Sequence, residues 1–316
     1  MTFKNTVHIP VLLDEVLALL KPGAGKIFVD GTLGGGGHAE AITKAVLPDG
    51  MVISCDRDIS AIDRTEQRLR QVFAEFAPFP IRFVHANYSD FDEALDLLHI
   101  DQIDGMLLDL GLSSDQLADR NRGFSFSVAD TAVLDLRFDI SEGESAAELL
   151  AGLPEEEIAK IIFEYGEERY SRRIASRIVE RRQTGLPVKT AGDLADLVRR
   201  CVPRERRTHG DRTVSIDPAT RTFQALRIAV NDELGSLQKV LQKIPNRLRP
   251  GGVLAVISFH SLEDRIVKNA FRDNPCWEVL TKKPVTASER ELATNPRSRS
   301  AKLRAAARNR DQSRNR

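Results

Sequence analysis

Three short apolar runs in this 316-residue chain each close on an aspartate: "KIFVD" at Asp30, "MVISCD" at Asp56 and "GMLLD" at Asp109. A carboxylate so placed can accept hydrogen bonds from a ligand's hydroxyl or ammonium groups, or take a proton from a reacting amine. Directly after the first run comes "GTLGGGGHAE", residues 31–40, where four successive glycines strip the backbone of side chains. Such a stretch lets a ligand, or simply another part of the protein, come very close. Gly34, Gly36 and Ala39 fit G-x-G-x-x-A, and Asp56 follows at about the 20-residue spacing of a dinucleotide-binding loop. A pyrophosphate there would want helix N–H groups and no carboxylate a few ångströms away. The three acids suit a cationic ligand without phosphate better. S-adenosylmethionine, with its sulfonium, ammonium and ribose diol, has that chemistry. Asp56 could hold the ribose of either ligand, whereas Asp30 and Asp109 lean toward the sulfonium.

In "LLDLGLSS", residues 107–114, Gly111 permits a sharp turn just after Asp109. An exocyclic amine on a nucleobase is a weak nucleophile, because its lone pair is delocalised into the ring. An acceptor held against the N–H localises that lone pair and then takes the proton, which makes Asp109 the candidate catalytic residue; a pure cofactor or loop contact is its other reading. "RGFSF", residues 122–126, offers Phe124 and Phe126 as stacking faces for an unstacked base and Arg122 as a substrate contact, although Phe at alternate positions also suits a core. His260 in "SFHSLEDR" fits a satisfied loop histidine better than a base. Cys55, Cys201 and Cys276 are far apart, form no CxxC pair and show no zinc spacing. The expectation is a reducing cytoplasm, no disulfide framework and no metal.

These residues need elements to position them. "KIFVDGT" (26–32), "MVISCDRD" (51–58), "IRFVHAN" (81–87) and "DGMLLDLG" (104–111) alternate with segments whose apolar residues recur every three or four positions. Alternating strand and helix predicts a parallel sheet with right-handed crossovers, its carboxyl ends carrying the acids and the glycine loop. The pattern then stops. A loop-like stretch rich in Asp, Ser and Arg leads into helical sequence from Ser145 to about Val202, and strand signal returns at "RPGGVLAVISF" (249–259), "WEVLTKKP" and "AKLRAAA". The expected fold is α/β, a Rossmann-like doubly wound sheet interrupted by an all-helical insertion. The core's first part would span 1–112, a substrate-recognition insertion 113–217, the core's second part 218–308 and a disordered basic tail 309–316.

Residues 1–167 hold 13 Lys+Arg against 30 Asp+Glu, so the zero net charge conceals an acidic first half and an equally basic remainder. Basic residues gather in "RYSRRIASRIVERR", "RRCVPRERRTHGDR" and residues 295–316. Such clusters can track a phosphate backbone, which a small-molecule enzyme would not need. The longest apolar run is too short to span a bilayer, so neither a membrane span nor a signal peptide is expected.

Longer motifs run in order along the chain: "HIPVLLDEV" (8–16), "DGTLGGGGH" (30–38), "DRD" (56–58), "DGMLLDLGLSSDQL" (104–117), "RGFSF" (122–126), "YGEERYSRRIA" (165–175), "PATRTFQALRIAVNDEL" (218–234), "GGVLAVISFHSLEDRIVK" (251–268) and "NPRSRSAKLRAA" (295–306). On these segments the sequence resembles the bacterial 16S rRNA (cytosine 4-amino) methyltransferases, the RsmH or MraW family, over nearly its whole length. The resemblance implies a class I S-adenosylmethionine-dependent methyltransferase core with a helical recognition insertion. It implies transfer of a methyl group from S-adenosylmethionine to the 4-amino group of one cytidine in the decoding centre of 16S rRNA, within the small ribosomal subunit and in the cytoplasm. A noncatalytic RNA-binding assembly factor that keeps a cofactor pocket is the alternative, and a homodimer is compatible with either. The family's cofactor contacts fall on Gly36, Gly37, His38, Asp56, Tyr88, Asp109 and Gln116, with Tyr88 offering an aromatic face to adenine. Two departures lie in the inserted region. "SVADTAVLDLR" follows "RGFSF" where the family has a shorter segment with "DGPLDMR", and Asp217 stands where the family has His before "PATRTFQ".

Overall fold

The computed structural model describes residues 9–119, 121–125, 131–203, 208–209, 212–213 and 217–310. The chain divides into two compact units, Met1–Ser113 with Leu234–Arg316, and Ser114–Glu233.

Nine strands are described: β1 Ile27–Asp30, β2 Met51–Asp56, β3 Ile81–His85, β4 Ile103–Asp109, β5 Thr208–His209, β6 Arg212–Thr213, β7 Leu248–Ser258, β8 Trp277–Val279 and β9 Lys302–Arg308. All but β5 and β6 form one sheet in the first unit, in the order β3-β2-β1-β4-β7-β9-β8. β3, β2, β1, β4 and β7 run parallel, and β9 lies antiparallel to both β7 and β8. The expected α/β, Rossmann-like doubly wound sheet is present. Its central strands read as nearly continuous apolar runs because both faces are covered. Val29, Ile53, Met106, Leu108, Leu254 and Val256 pack with Leu237, Val240, Leu241 and Ile244 of helix Glu233–Arg247. Their neighbours Phe28, Val52, Leu107, Ala255 and Ile257 pack on the other face with Val16 and Leu20 of helix Leu13–Leu20 and with Ile42 and Val46 of helix Gly37–Val46. Each large side chain so buried contributes about 1.5–3 kcal/mol, so the layer beneath the strand ends is a stiff platform.

The second unit is helical, with Ala146–Gly152, Glu155–Gly166, Ser171–Gln183, Ala191–Cys201 and Ala219–Asn231, apart from the two-residue ribbon of β5 and β6. Ser145 with Glu148 and Thr190 with Asp193 form reciprocal capping boxes that start two of these helices. The helix Ala219–Asn231, expected in the core's second part, packs on Glu155–Gly166 instead. Its terminal Asn231 is buried, accepts the Phe138 N–H at 2.7 Å and donates to the Leu136 carbonyl at 2.7 Å. Asp217 accepts a forked contact from Arg199, 2.7 Å at the closest, and the Ala219 N–H at 2.9 Å, so it anchors the start of that helix. Most of the expected tail, residues 311–316, lies outside the described residues; Asn309 donates its N–H to Cys276 and its side chain to Pro275. No helix among the described residues is long and apolar enough to cross a membrane.

Candidate active site

Strand order reverses between β1 and β4, the point at which open α/β sheets bind ligands beyond the carboxyl ends of their strands. The loop after β1 is fastened across that point. Gly31 donates to the Leu107 carbonyl at 2.9 Å, and the Asp109 N–H donates to Thr32 Oγ1 at 2.7 Å. Gly36 sits at φ +73°, where a Cβ would lie 2.4 Å from Thr65 Cγ2, and a Cβ on Gly37 would lie 3.0 Å from the Pro10 ring. The protein's own packing therefore demands Gly36 and leaves little room for a side chain at Gly37. Asp56 ties down the same loop: Oδ2 accepts the Gly34 N–H at 2.8 Å and Oδ1 accepts the Asp58 N–H at 2.9 Å. The Arg57 amide adds a third backbone hydrogen bond, and a carboxylate with about four acceptor sites still keeps capacity for a ligand.

The three acids are not equivalent. Asp30 is 1% exposed, with Oδ1 accepting the Thr32 N–H at 3.1 Å and Oδ2 buried without a partner. The expectation that Asp30 leans on a cationic ligand is corrected: its strand is central, covered on both faces, and its last carboxyl lies beneath the loop. Burial, with the Asp56 charge adding, pushes it up to about 7. Asp58, read with Asp56 at the end of β2, accepts the Ser60 and Ala61 N–H groups as the cap of helix Ile59–Val72. Burial also raises Asp56, against the loop amides that stabilise its charged form. Asp109 has Oδ1 buried without a partner and Oδ2 3.6 Å from His38 Nδ1. Burial first, then the charges of Asp30 and Glu263, push this carboxyl up to about 7, and the Arg297 guanidinium pulls the other way. A carboxyl poised there changes protonation state at little cost near neutral pH.

The other expected contacts fall in both units. Tyr88 opens the short turn Tyr88–Asp90 after β3, and its Cβ lies 2.9 Å from where a Cβ on Gly31 would be. His38 is buried, its Nε2 3.0 Å from the Val11 carbonyl, so its side chain belongs to the wall of the loop. Gly111, at φ +101°, makes the turn after Asp109. Gln116 is buried on the short helix Ser114–Ala118 of the second unit. Phe124, also in that unit, is 5% exposed and packs against Phe138 with ring centroids 6.0 Å apart, so it is a core residue rather than an open face for a base. Arg122 is buried too, paired with Asp119 at 3.3 Å and donating to the Phe138 carbonyl, and so acts as a strut. Phe126 lies outside the described residues. On helix Ser171–Gln183, Arg181 and Arg182 are engaged with Leu186, Asp193 and the carbonyls that end helix Ala146–Gly152, whereas Arg172 and Arg173 are exposed.

Sequence reasoning missed several residues of this edge. Arg297 donates to the Leu112 carbonyl and faces Asp109. Its segment also braces the start of the chain: Glu291 accepts the Leu12 N–H at 2.8 Å, and Asn295 donates to the Ile9 carbonyl at 3.2 Å. Both partners lie in quoted motifs, "HIPVLLDEV" and the stretch around "NPRSRS", but nothing in either shows that they meet. His260 caps helix Ser261–Asp273 in a box with Glu263, which accepts the Phe259 N–H at 2.8 Å. Its Nδ1 is satisfied by that cap, but its Nε2, 3.1 Å from Glu263 Oε1, is buried without a hydrogen-bond partner, so the histidine is only half satisfied.

The family model described as the MraW methylase family matches residues 5–309. The chain belongs to the MraW methylase family. It is 48% identical to Ribosomal RNA small subunit methyltransferase H of Rhodopirellula baltica, over 96% of this chain and 92% of that protein. It is 49% identical to the protein of the same name from Geotalea uraniireducens, over 95% of this chain and 97% of that one, and 47% identical to that of Geobacter sulfurreducens, over 97% and 99%. The MraW match runs through both compact units, so the helical unit is as much a part of this methylase as the sheet. A MraW methylase uses S-adenosylmethionine, and the strand-end carboxyls of this one, hydrogen-bond acceptors with unused capacity, fit that donor.

Proposed function

We propose that the protein transfers a methyl group from S-adenosylmethionine to the exocyclic 4-amino group of a cytidine in 16S rRNA, acting in the cytoplasm on the small ribosomal subunit or its RNA. The observation that carries this is Asp109: a carboxyl at the switch point of a MraW methylase, one oxygen unpartnered, held where it can gain or lose a proton near neutral pH. When bound, S-adenosylmethionine supplies a methyl group made electrophilic by its sulfonium. Gly36, Gly37 and the His38 backbone line the loop that would receive it, Asp56 offers its remaining lone pairs to the ribose hydroxyls, and Tyr88 offers a ring face to adenine. Asp109 Oδ1 would accept the cytosine N–H, localise the nitrogen lone pair and take the proton that methylation makes acidic. The second unit would hold the RNA, with Arg172 and Arg173 on phosphates.

The test is mass spectrometry of 16S rRNA from cells with and without the gene. Loss of one N4-methylated cytidine in the deletion is expected, restored by the wild-type gene and not by Asp109→Ala. An unchanged set of methylcytidines overturns the assignment. Full rescue of growth by Asp109→Ala without the mark would point to a noncatalytic assembly role instead.

A further inference from the structure

A buried carboxyl that takes a proton from each substrate must pass it on before it can take another. Two observations on the wall of the loop bear on where that proton goes. His38, 5% exposed on helix Gly37–Val46, has Nε2 3.0 Å from the Val11 carbonyl. A carbonyl only accepts, so Nε2 carries the hydrogen, and the neutral ring presents its Nδ1 lone pair. That Nδ1 lies 3.6 Å from Asp109 Oδ2, while Oδ1 of the same carboxyl is buried without a partner. One oxygen thus faces a base and the other faces none. The gap exceeds a hydrogen bond, as contacts in catalytic groups often do before the ligands are in place. The groups around the carboxyl are Asp30 from β1, Glu263 from helix Ser261–Asp273, Arg297 from the turn Pro296–Ser300 and His38 itself. Two acids against one guanidinium favour keeping a proton in the pair.

Resting on the role of Asp109 given above, we propose that His38 is a positioning residue that shares one proton with Asp109 across Oδ2 and Nδ1, leaving Oδ1 to receive the proton of the methylated amine. In the transfer the acceptor nitrogen bonds to the methyl carbon as the carbon–sulfur bond breaks, its electron pair going to sulfur. The nitrogen then gives its proton to Asp109 Oδ1 while the proton on Oδ2 passes to His38 Nδ1. The carboxyl stays neutral throughout, and the positive charge that began on sulfur ends on the imidazolium. Release of the imidazolium proton to solvent, with return of the carboxyl proton from Oδ1 to Oδ2 by rotation of the carboxyl, resets the pair. The Val11 carbonyl is what makes the relay directional, because it holds the tautomer whose lone pair points at Asp109.

Nitrogen NMR of the His38 ring in the full chain, followed across about pH 5 to 9, tests this without any turnover. The neutral ring is expected as the Nε2–H tautomer, and Asp109→Asn is expected to lower its titration midpoint by about one pH unit or more, because the acidic partner is gone. An Nδ1–H tautomer, or a midpoint that Asp109→Asn leaves in place, overturns the proposal. In the second arm, His38→Gln is expected to lower kcat about a hundredfold and to displace the pH–rate profile, while calorimetry finds S-adenosylhomocysteine affinity within about twofold of wild type. An unchanged kcat and pH profile, or an affinity loss equal to the rate loss, marks His38 as merely structural and overturns it. A wild-type enzyme that methylates neither 16S rRNA nor small subunits refutes the functional assignment instead; the ring titration still decides the role of His38.

Discussion

Asp109→Asn should stabilise the protein while disabling it. The Asp109 carboxyl is raised from 3.8 to about 7, chiefly by burial. A carboxyl that titrates higher in the folded chain than in the unfolded one adds stability only while it keeps its proton. That contribution is complete below about pH 4 and is lost as pH rises through about 7. Three pH units at about 1.4 kcal/mol each set an upper figure of about 4 kcal/mol for the cost of the charged form at pH 8. Half of that, about 2 kcal/mol, would correspond to a Tm difference of roughly 3 °C for unfolding of all 316 residues together. The neutral amide escapes the cost. Calorimetric scans of cofactor-free wild type and Asp109→Asn at pH 4, 5, 6, 7 and 8 should therefore coincide at the acid end and diverge toward pH 8, the variant melting higher. The same variant should lose about 10²–10⁴-fold in kcat, since the proton acceptor is gone. Parallel Tm curves across the whole range would refute the claim that burial holds this carboxyl protonated, whatever happened to the rate.

Gly36→Ala forces a Cβ into the left-handed region and to 2.4 Å from Thr65 Cγ2, so a loss of about 1–3 kcal/mol in urea unfolding and weaker S-adenosylhomocysteine binding by calorimetry are expected. Adding Thr65→Ser, which keeps the hydroxyl bonded to Gly34 and removes the clashing methyl, should recover part of both. Asn231→Ala strands the Phe138 N–H and the Leu136 carbonyl and should destabilise by about 2–4 kcal/mol, read by urea denaturation. Arg172→Glu and Arg173→Glu should weaken binding to 16S rRNA and each reduce the slope of log affinity against log salt by about 1, with cofactor affinity unmoved in calorimetry.

Strand ends were the most legible part of the chain. A strand covered on both faces must be written in apolar residues, so the first polar residue marks its edge, and that placed Asp30, Asp56 and Asp109 at one side of the sheet before any coordinate. What each carboxyl does there was less legible, because the difference is set by depth: Asp30 pairs with Ser54, so Asp56 stands two residues further out along its strand, and of the two only Asp30 is fully buried. The glycines suggested a ligand's approach, but Gly36 and Gly37 answer to Thr65 and Pro10, contacts made across helices that a linear motif does not display. The boundary at Glu233 was hidden for a similar reason. Helix Ala219–Asn231 has an apolar stripe like any amphipathic helix, and a stripe does not say which body it will cover. Phe124 read equally well as core or as stacking surface, and only its partner Phe138 decides between them.

The brace between residues 9–12 and the segment 289–300 has a consequence for synthesis. The glycine loop and the first four sheet strands leave the translating ribosome early, yet the carbonyl that orients His38 sits on a segment held by Glu291 and Asn295, and the guanidinium facing Asp109 arrives with Arg297. A nascent chain can therefore assemble most of its core while its catalytic edge is still unfinished. Completion of the site is tied to synthesis through Arg297, so the enzyme matures as a methylase only after that residue has left the ribosome.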